Sequence, residues 1–197
     1  MSELRDLPPF LRLFAVSPIR AMRGLPPWQW STLVSLQVGI AIVSGALLGL
    51  ISLSFINFLL GLIVLPISTL IASLIITFFL NYFFAFFSKT YLDIRRLFGV
   101  VVVAQIPFLI LHILSVHVPP IDLIGFGITC LLLIVGLTEH FQLNRKSVTR
   151  LAISIYVLFS VIWIAAQIRN QFAQNQNRSF ETPQTLDSIE REVLKTQ

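Results

Sequence analysis

The chain has 197 residues, of which 12% are charged and 56% hydrophobic, with a mean hydropathy of +0.86. A soluble domain needs roughly 25% charged residues to cover its surface, so a water-soluble globule is excluded. The net charge of +5 does not indicate nucleic acid, because the basic residues flank apolar runs and form no polar domain of their own.

Residues 1–30 form a basic, proline-rich lead. Ser17, Pro18 and the following Ile-Arg-Ala-Met-Arg-Gly24 predict a short helix. Ser17 suits its cap, Pro18 its first turn and Gly24 its end. Just upstream, Phe10, Leu11, Leu13 and Phe14 alternate with Arg12. This segment reads as an amphipathic anchor on the cytosolic interface, with an ordered loop as the alternative. Pro26 and Pro27 then break the chain. Trp28 and Trp30 stand where the first span enters the membrane, which suits the interfacial preference of indole. Residues 8–16 are too short a run, and are interrupted by Arg12, for a signal peptide.

No charged residue lies between Arg23 and Lys89. One span takes about 20 apolar residues, so this gap holds two, at 31–54 and 60–86. Asn57 and Gly61 fall in or near the turn between them, and Pro66 starts or kinks the second. The third span is expected at 97–116, with Pro107 inside it. His117-Val-Pro-Pro-Ile-Asp122 forms the next turn. The fourth span, 121–138, is short, and the fifth covers 151–168. These spans make up a membrane domain at 31–168. Residues 169–197 form a polar tail rich in Gln and Asn, and its end, 186–194, has a weak amphipathic period.

The loops orient the chain. Arg5, Arg12, Arg20 and Arg23 lie in the lead, Lys89, Arg95 and Arg96 in the second loop, and Arg145, Lys146 and Arg150 in the fourth. The first and third loops hold no Lys or Arg. This alternation places the lead in the cytosol and the tail outside. The expected fold is all-α, a polytopic transmembrane helix bundle of five spans with a cytosolic N-terminus. Arg20, Arg23, Arg95, Arg96, Arg145 and Lys146 act as its cytosolic anchors. The loop from Ser88 to Arg96, with Arg20 and Arg23, is also placed to meet anionic headgroups.

Within the spans, Ser35 with Gly39 and Gly45 with Gly49 repeat at four residues, a spacing that lets another helix backbone approach closely. The groove serves either packing inside the chain or a dimer interface. Gln37, Asn81, Gln105 and His112 are the intramembrane polar candidates, and such residues usually hydrogen-bond a neighbouring helix. Only His112 is ionisable deep in a span, where it serves either a functional site or a carbonyl freed by Pro107. Glu139 and His140 are adjacent and point to different sides, so they do not make the two-histidine zinc pattern. Cys130, the single cysteine, has no partner for a disulfide or a Cys-based metal site. No nucleophile–base set, phosphate loop or cofactor fingerprint can be assembled, so no enzyme activity and no cofactor are expected.

Ser17-Pro-Ile-Arg-Ala-Met-Arg-Gly-Leu25 resembles the lead of bacterial Yip-domain proteins, relatives of the five-span Ypt/Rab-interacting proteins of the secretory pathway. The stretch from Tyr91 to Pro107 resembles that family's loop into span three, which ends in an Ala-x-x-Pro step; Ala104 and Pro107 fill those places. The resemblance covers roughly residues 10–168 and implies a five-helix bundle with a cytosolic N-terminus. In eukaryotes it also implies membrane shaping, trafficking and contact with prenylated small GTPases. The lead here lacks the Asp-Leu-Tyr-Gly-Pro-type element of eukaryotic members, which puts GTPase binding in doubt and favours a bacterial plasma (inner) membrane. The expected function is a non-enzymatic scaffold, assembly or membrane-organising factor whose partners are the bilayer, other membrane proteins or itself. The alternative is a small oligomeric transporter or channel, suggested by Pro66 and Pro107 with Gln105 and His112 nearby.

Overall fold

The computed structural model describes residues 3–51, 55–116, 118 and 120–180. Helix α1 is Glu3–Val16, α2 Pro18–Arg23, α3 Trp30–Ile51 and α4 Phe55–Ser88. Helix α5, Ile94–His112, runs on into one 3-10 turn, Ile113–Val116, and is followed by α6, Ile121–Phe141, and α7, Arg145–Phe180. No strand occurs among the described residues. Five helices, α3 to α7, are long and apolar enough to cross a membrane. Helices satisfy every backbone group within one segment, which a lipid environment demands. The chain is thus an all-helical integral membrane protein. It divides into two compact units, Met1–Tyr156 and Val157–Gln197, with the boundary inside α7.

The spans fall where the apolar runs predict, but helix extends beyond several of them. Helix α4 has 34 residues; at about 1.5 Å per residue it exceeds the roughly 30 Å hydrocarbon core. Pro66 lies inside this helix and does not start it. Helix α6 has 21 residues, so the fourth segment is not short for a span. Helix α7 runs to Phe180, through residues read from sequence as polar tail. Its Gln and Arg residues are good helix formers, and no Gly or Pro interrupts them. The amphipathic stretch at 186–194 lies outside the described residues, as do His117 and Pro119 of the third loop.

Local chemistry sets the helix ends. Asp93 caps α5, its carboxylate accepting from the backbone N–H of Arg95 at 2.9 Å and of Arg96 at 3.5 Å. Helix α6 ends where Gln142 takes a left-handed φ of 51°. Ser17 occupies the N-cap of α2 with Pro18 following, yet its hydroxyl makes no capping bond, and Gly24 ends the helix at φ −95°. Backbone bonds close both ends: the Ala21 N–H donates to the Ser17 carbonyl at 3.0 Å and the Gly24 N–H to the Arg20 carbonyl at 3.1 Å.

The core of the first unit forms around α5. Leu97 through Ala104 and Ile106 are all buried. Helix α5 is 56% buried over its most apolar window, whereas α4 is 17% buried, which makes α5 the axis of the packing and α4 an outer helix. Helices α3 and α4 form one antiparallel pair and α5 and α6 another; α3 and α4 both lean on α5, and α2 lies against α6. The lead is also part of this core. Phe10 and Phe14 are buried, and Phe10 meets the buried Trp28 edge-on at 4.7 Å between centroids. Leu13, Val16 and Ile19 remain exposed, so the apolar side of the lead is divided between protein and surroundings. Trp30 is partly exposed against Phe98, at 5.1 Å.

Glycines let α3 and α4 touch. A Cβ on Gly61 would stand 2.5 Å from the Gly45 carbonyl oxygen, and one on Gly45 would overlap the Gly61 carbonyl. Gly49 faces the backbone of Phe58 just as closely. The second small pair thus packs inside the chain. Ser35 and Gly39 do not: both are exposed, and nothing lies within 4 Å of a Cβ built on Gly39. In α6, Gly136 admits Val100 of α5 and the Met22 sulfur of α2, the latter at 3.1 Å from a built Cβ.

Candidate functional site

The main polar feature inside the bundle is a seam joining α3, α4 and α5. Gln37 of α3 donates from Nε2 to the Thr69 carbonyl at 2.8 Å and to Ser73 Oγ, both on α4. Ser73 lies 2.8 Å from Gln105 Oε1 on α5 and equally far from the Thr69 carbonyl. A hydroxyl has one proton. Both Gln105 Oε1 and the Thr69 carbonyl are within reach of the Ser73 proton, and the carbonyl oxygen, with two lone pairs, accepts from Gln37 as well. This arrangement also fixes the Gln37 amide, since the flipped form would set two oxygens against each other. Gln37 and Ser73 are buried, at 2% and 0% exposure. Gln37 Oε1 has no donor among the described residues. Beneath the seam, Thr77 Oγ1 donates to the Ser73 carbonyl at 2.7 Å and Thr69 Oγ1 to the Pro66 carbonyl at 3.1 Å.

Two of the four intramembrane polar candidates, Gln37 and Gln105, therefore meet through a serine. Asn81 does not join them; its Oδ1 accepts from the Leu92 N–H at 3.3 Å, stitching the α4–α5 loop. His112 also stands apart. It is the last residue of α5, where the helix passes into the 3-10 turn. Its Nδ1 lies 3.0 Å from Asp122 Oδ1, and the Ser115 hydroxyl donates to the His112 carbonyl at 2.7 Å. Its ring stacks on Phe108 at 5.7 Å. The histidine answers a carboxylate on the first turn of α6 and not a carbonyl freed by Pro107. Gly125, in the first half of α6, brings the pair together by packing against the Phe108 backbone.

The opposite end of α5 and α6 gathers the basic groups. His140 Nε2 donates to the Met22 carbonyl at 2.7 Å, and Arg23 Nε pairs with Glu139 at 3.0 Å. Adjacent residues on α6 thus reach two different atoms of the α2 end. The Arg23 pair is half exposed, at 61% and 45%, where solvent screening limits an ion pair to about 0–1 kcal/mol. Arg23→Gln is accordingly expected to change stability by under about 0.5 kcal/mol. His140→Ala leaves the Met22 carbonyl unpaired and is expected to cost about 1–2 kcal/mol. Thermal unfolding of the two variants in detergent, side by side, checks the ranking; equal effects contradict it.

Beside this clip lies a cavity of about 160 Å³ whose wall includes Trp28, Leu33, Arg95, Arg96, Gly99 and His140. Trp28 Nε1 is buried and has no acceptor among the described residues. Arg20, Arg145 and Lys146 lie outside this wall. Among the described residues, no group of three or more His, Cys, Asp or Glu side chains is placed to hold a metal ion.

No protein-family model, no curated protein and no solved structure matches this chain.

Sequence reading alone passes over Ser73 and Gly136 and reads Gly61 and Asp122 as turn residues, whereas Gly61 lies within α4 and Asp122 within α6. One signal was available for the first: Thr69, Ser73 and Thr77 recur every four residues, which lines their hydroxyls along one face of α4. Asp122 gave no such signal, because a lone acid after two prolines reads as a turn.

Proposed function

We propose that the chain is a non-enzymatic integral membrane protein of the Yip-domain type. It acts as a scaffold, assembly or membrane-organising factor in a bacterial plasma membrane, through helix and protein contacts. The observation that carries this reading is the uncovered apolar face that α4 leaves in the first unit. Ile63, Ile67, Ile71, Ile75, Phe78 and Phe79 are all exposed along it. Within the bundle, by contrast, Gln37, Ser73 and Gln105 are engaged in cross-links between helices, with Gln37 and Ser73 buried. An inert, cross-linked interior with an apolar outer helix suits a protein that works from its outside. The family resemblance supports the same reading, and the basic residues of the lead and of loops two and four support a cytosolic N-terminus.

The test is site-specific photocrosslinking in cells, with the photoreactive residue at Ile71 or Phe79 and at the buried Leu80 as control. A defined, saturable adduct at the first two positions and none at Leu80 is the expected result. The same adduct pattern from an unrelated five-span protein would sink the idea.

A small transporter or channel is the second reading, and one observation favours it: Gln37 Oε1 beside Ser73, with no donor among the described residues. If that oxygen serves a permeant cation, Gln37→Leu abolishes flux in proteoliposomes. Unchanged flux removes this reading.

A further inference from the structure

The cavity at the basic end of α5 is the strongest unassigned feature of the molecule. Arg95 and Arg96 come from the first turn of α5, and His140 from the last turn of α6. Leu33, Gly99 and Trp28 supply an apolar wall. At about 160 Å³ the space far exceeds the roughly 10–15 Å³ that one water needs, and it accommodates a group of several heavy atoms.

Its charge is one-sided. Arg95 has no acidic partner among the described residues. Arg96 meets Asp93 only at 3.8 Å through Nε, and that carboxylate is already engaged in capping α5. Glu139, next to His140 in the sequence, is paired with Arg23. Two guanidinium groups at one cavity therefore lack a full counter-charge. Their planar forks match a tetrahedral oxyanion with paired oxygens better than an ammonium does. The location adds a second argument. Helix ends carrying Trp and Arg sit at the membrane boundary, the depth at which lipid phosphates lie.

We propose that this cavity binds a phosphate group, presented by the headgroup of an anionic lipid or free in solution. Arg95 and Arg96 grip its oxygens, and the apolar wall of Leu33 and Trp28 receives the first carbons of a lipid stem. Only membrane insertion is assumed here, so the site stands or falls apart from the scaffold reading.

Native mass spectrometry of the full chain in detergent tests it, with titrations of phosphatidylglycerol, diacylglycerol and inorganic phosphate. Wild type is expected to bind one phosphatidylglycerol in preference to diacylglycerol, which lacks the phosphate. Arg95→Gln and Arg96→Gln should each weaken that binding at least about tenfold, the loss that goes with one charge-assisted hydrogen bond. Arg145→Gln and Lys146→Gln, on the separate basic patch at the start of α7, should leave it unchanged. Arg95→Lys keeps the charge, guards against a folding defect, and should bind between wild type and Arg95→Gln. Inorganic phosphate binding that depends on Arg95, without lipid retention, supports the site and names the free anion as its source. Equal losses from the α5 and α7 variants, or no phosphate-dependent binding in wild type, overturn the proposal.

Discussion

Gly45→Ala is expected to destabilise the protein by about 3 kcal/mol, at the top of the usual range for overpacking. The added methyl meets the Gly61 carbonyl, and the reciprocal approach is equally close. Both neighbours are backbone, so no side chain can rotate away. The helices must part, and separation here also loosens Gly49 from Phe58. Lipid gives helices little hydrophobic reason to associate, so close van der Waals contact is what holds such a pair together. Gly39→Ala on the same helix supplies the contrast. Nothing lies within 4 Å of its built Cβ, and its cost is expected to stay within about 0.5 kcal/mol. Cys130 provides the readout: it is the single cysteine of the chain and is 8% exposed. Its labelling by a thiol reagent during heating in detergent reports unfolding. Equal midpoints for the two variants would contradict the backbone contact.

Ser73→Ala should have the next largest effect, about 2 kcal/mol. The substitution strips an acceptor from one Gln37 N–H and a donor from Gln105 Oε1, at the junction of three helices. Gln105→Leu should cost less, under about 1 kcal/mol, even though it removes the larger side chain. In that variant the Ser73 proton turns to the Thr69 carbonyl, already 2.8 Å away. The same thiol-labelling assay ranks them. A larger loss for Gln105→Leu than for Ser73→Ala would show that the proton is not shared in this way.

How much of this was legible from sequence depends on the range of the interaction. The helices were, because a charge-free run from Gly24 to Ser88 has no alternative to two spans. Their ends were less so. The helical continuation of α7 past Arg169 rests on residues whose polarity suggests a tail but whose propensity permits helix. Gly45 and Gly49 stood out by spacing, yet spacing cannot say which helix fills the groove; the answer, Gly61 and Phe58, lies across a turn. Gln37 and Gln105 were visible as polar residues in apolar runs, whereas Ser73 passes as an ordinary small residue until α4 is placed between them. His112 was visible as an ionisable residue in an apolar run, but its partner, Asp122, belongs to the next helix.

The proposed topology puts the basic ends of the five spans on one side of the membrane and the end of α7 on the other. Substituted-cysteine labelling in intact cells tests it most directly. In a Cys130→Ala background, single cysteines at Ser88, Ser147, Val118 and Gln176 would be probed with a membrane-impermeant maleimide. Labelling is expected at Val118 and Gln176, with Ser88 and Ser147 protected until the cells are permeabilised. Labelling of Ser147 and Gln176 from the same side would contradict it.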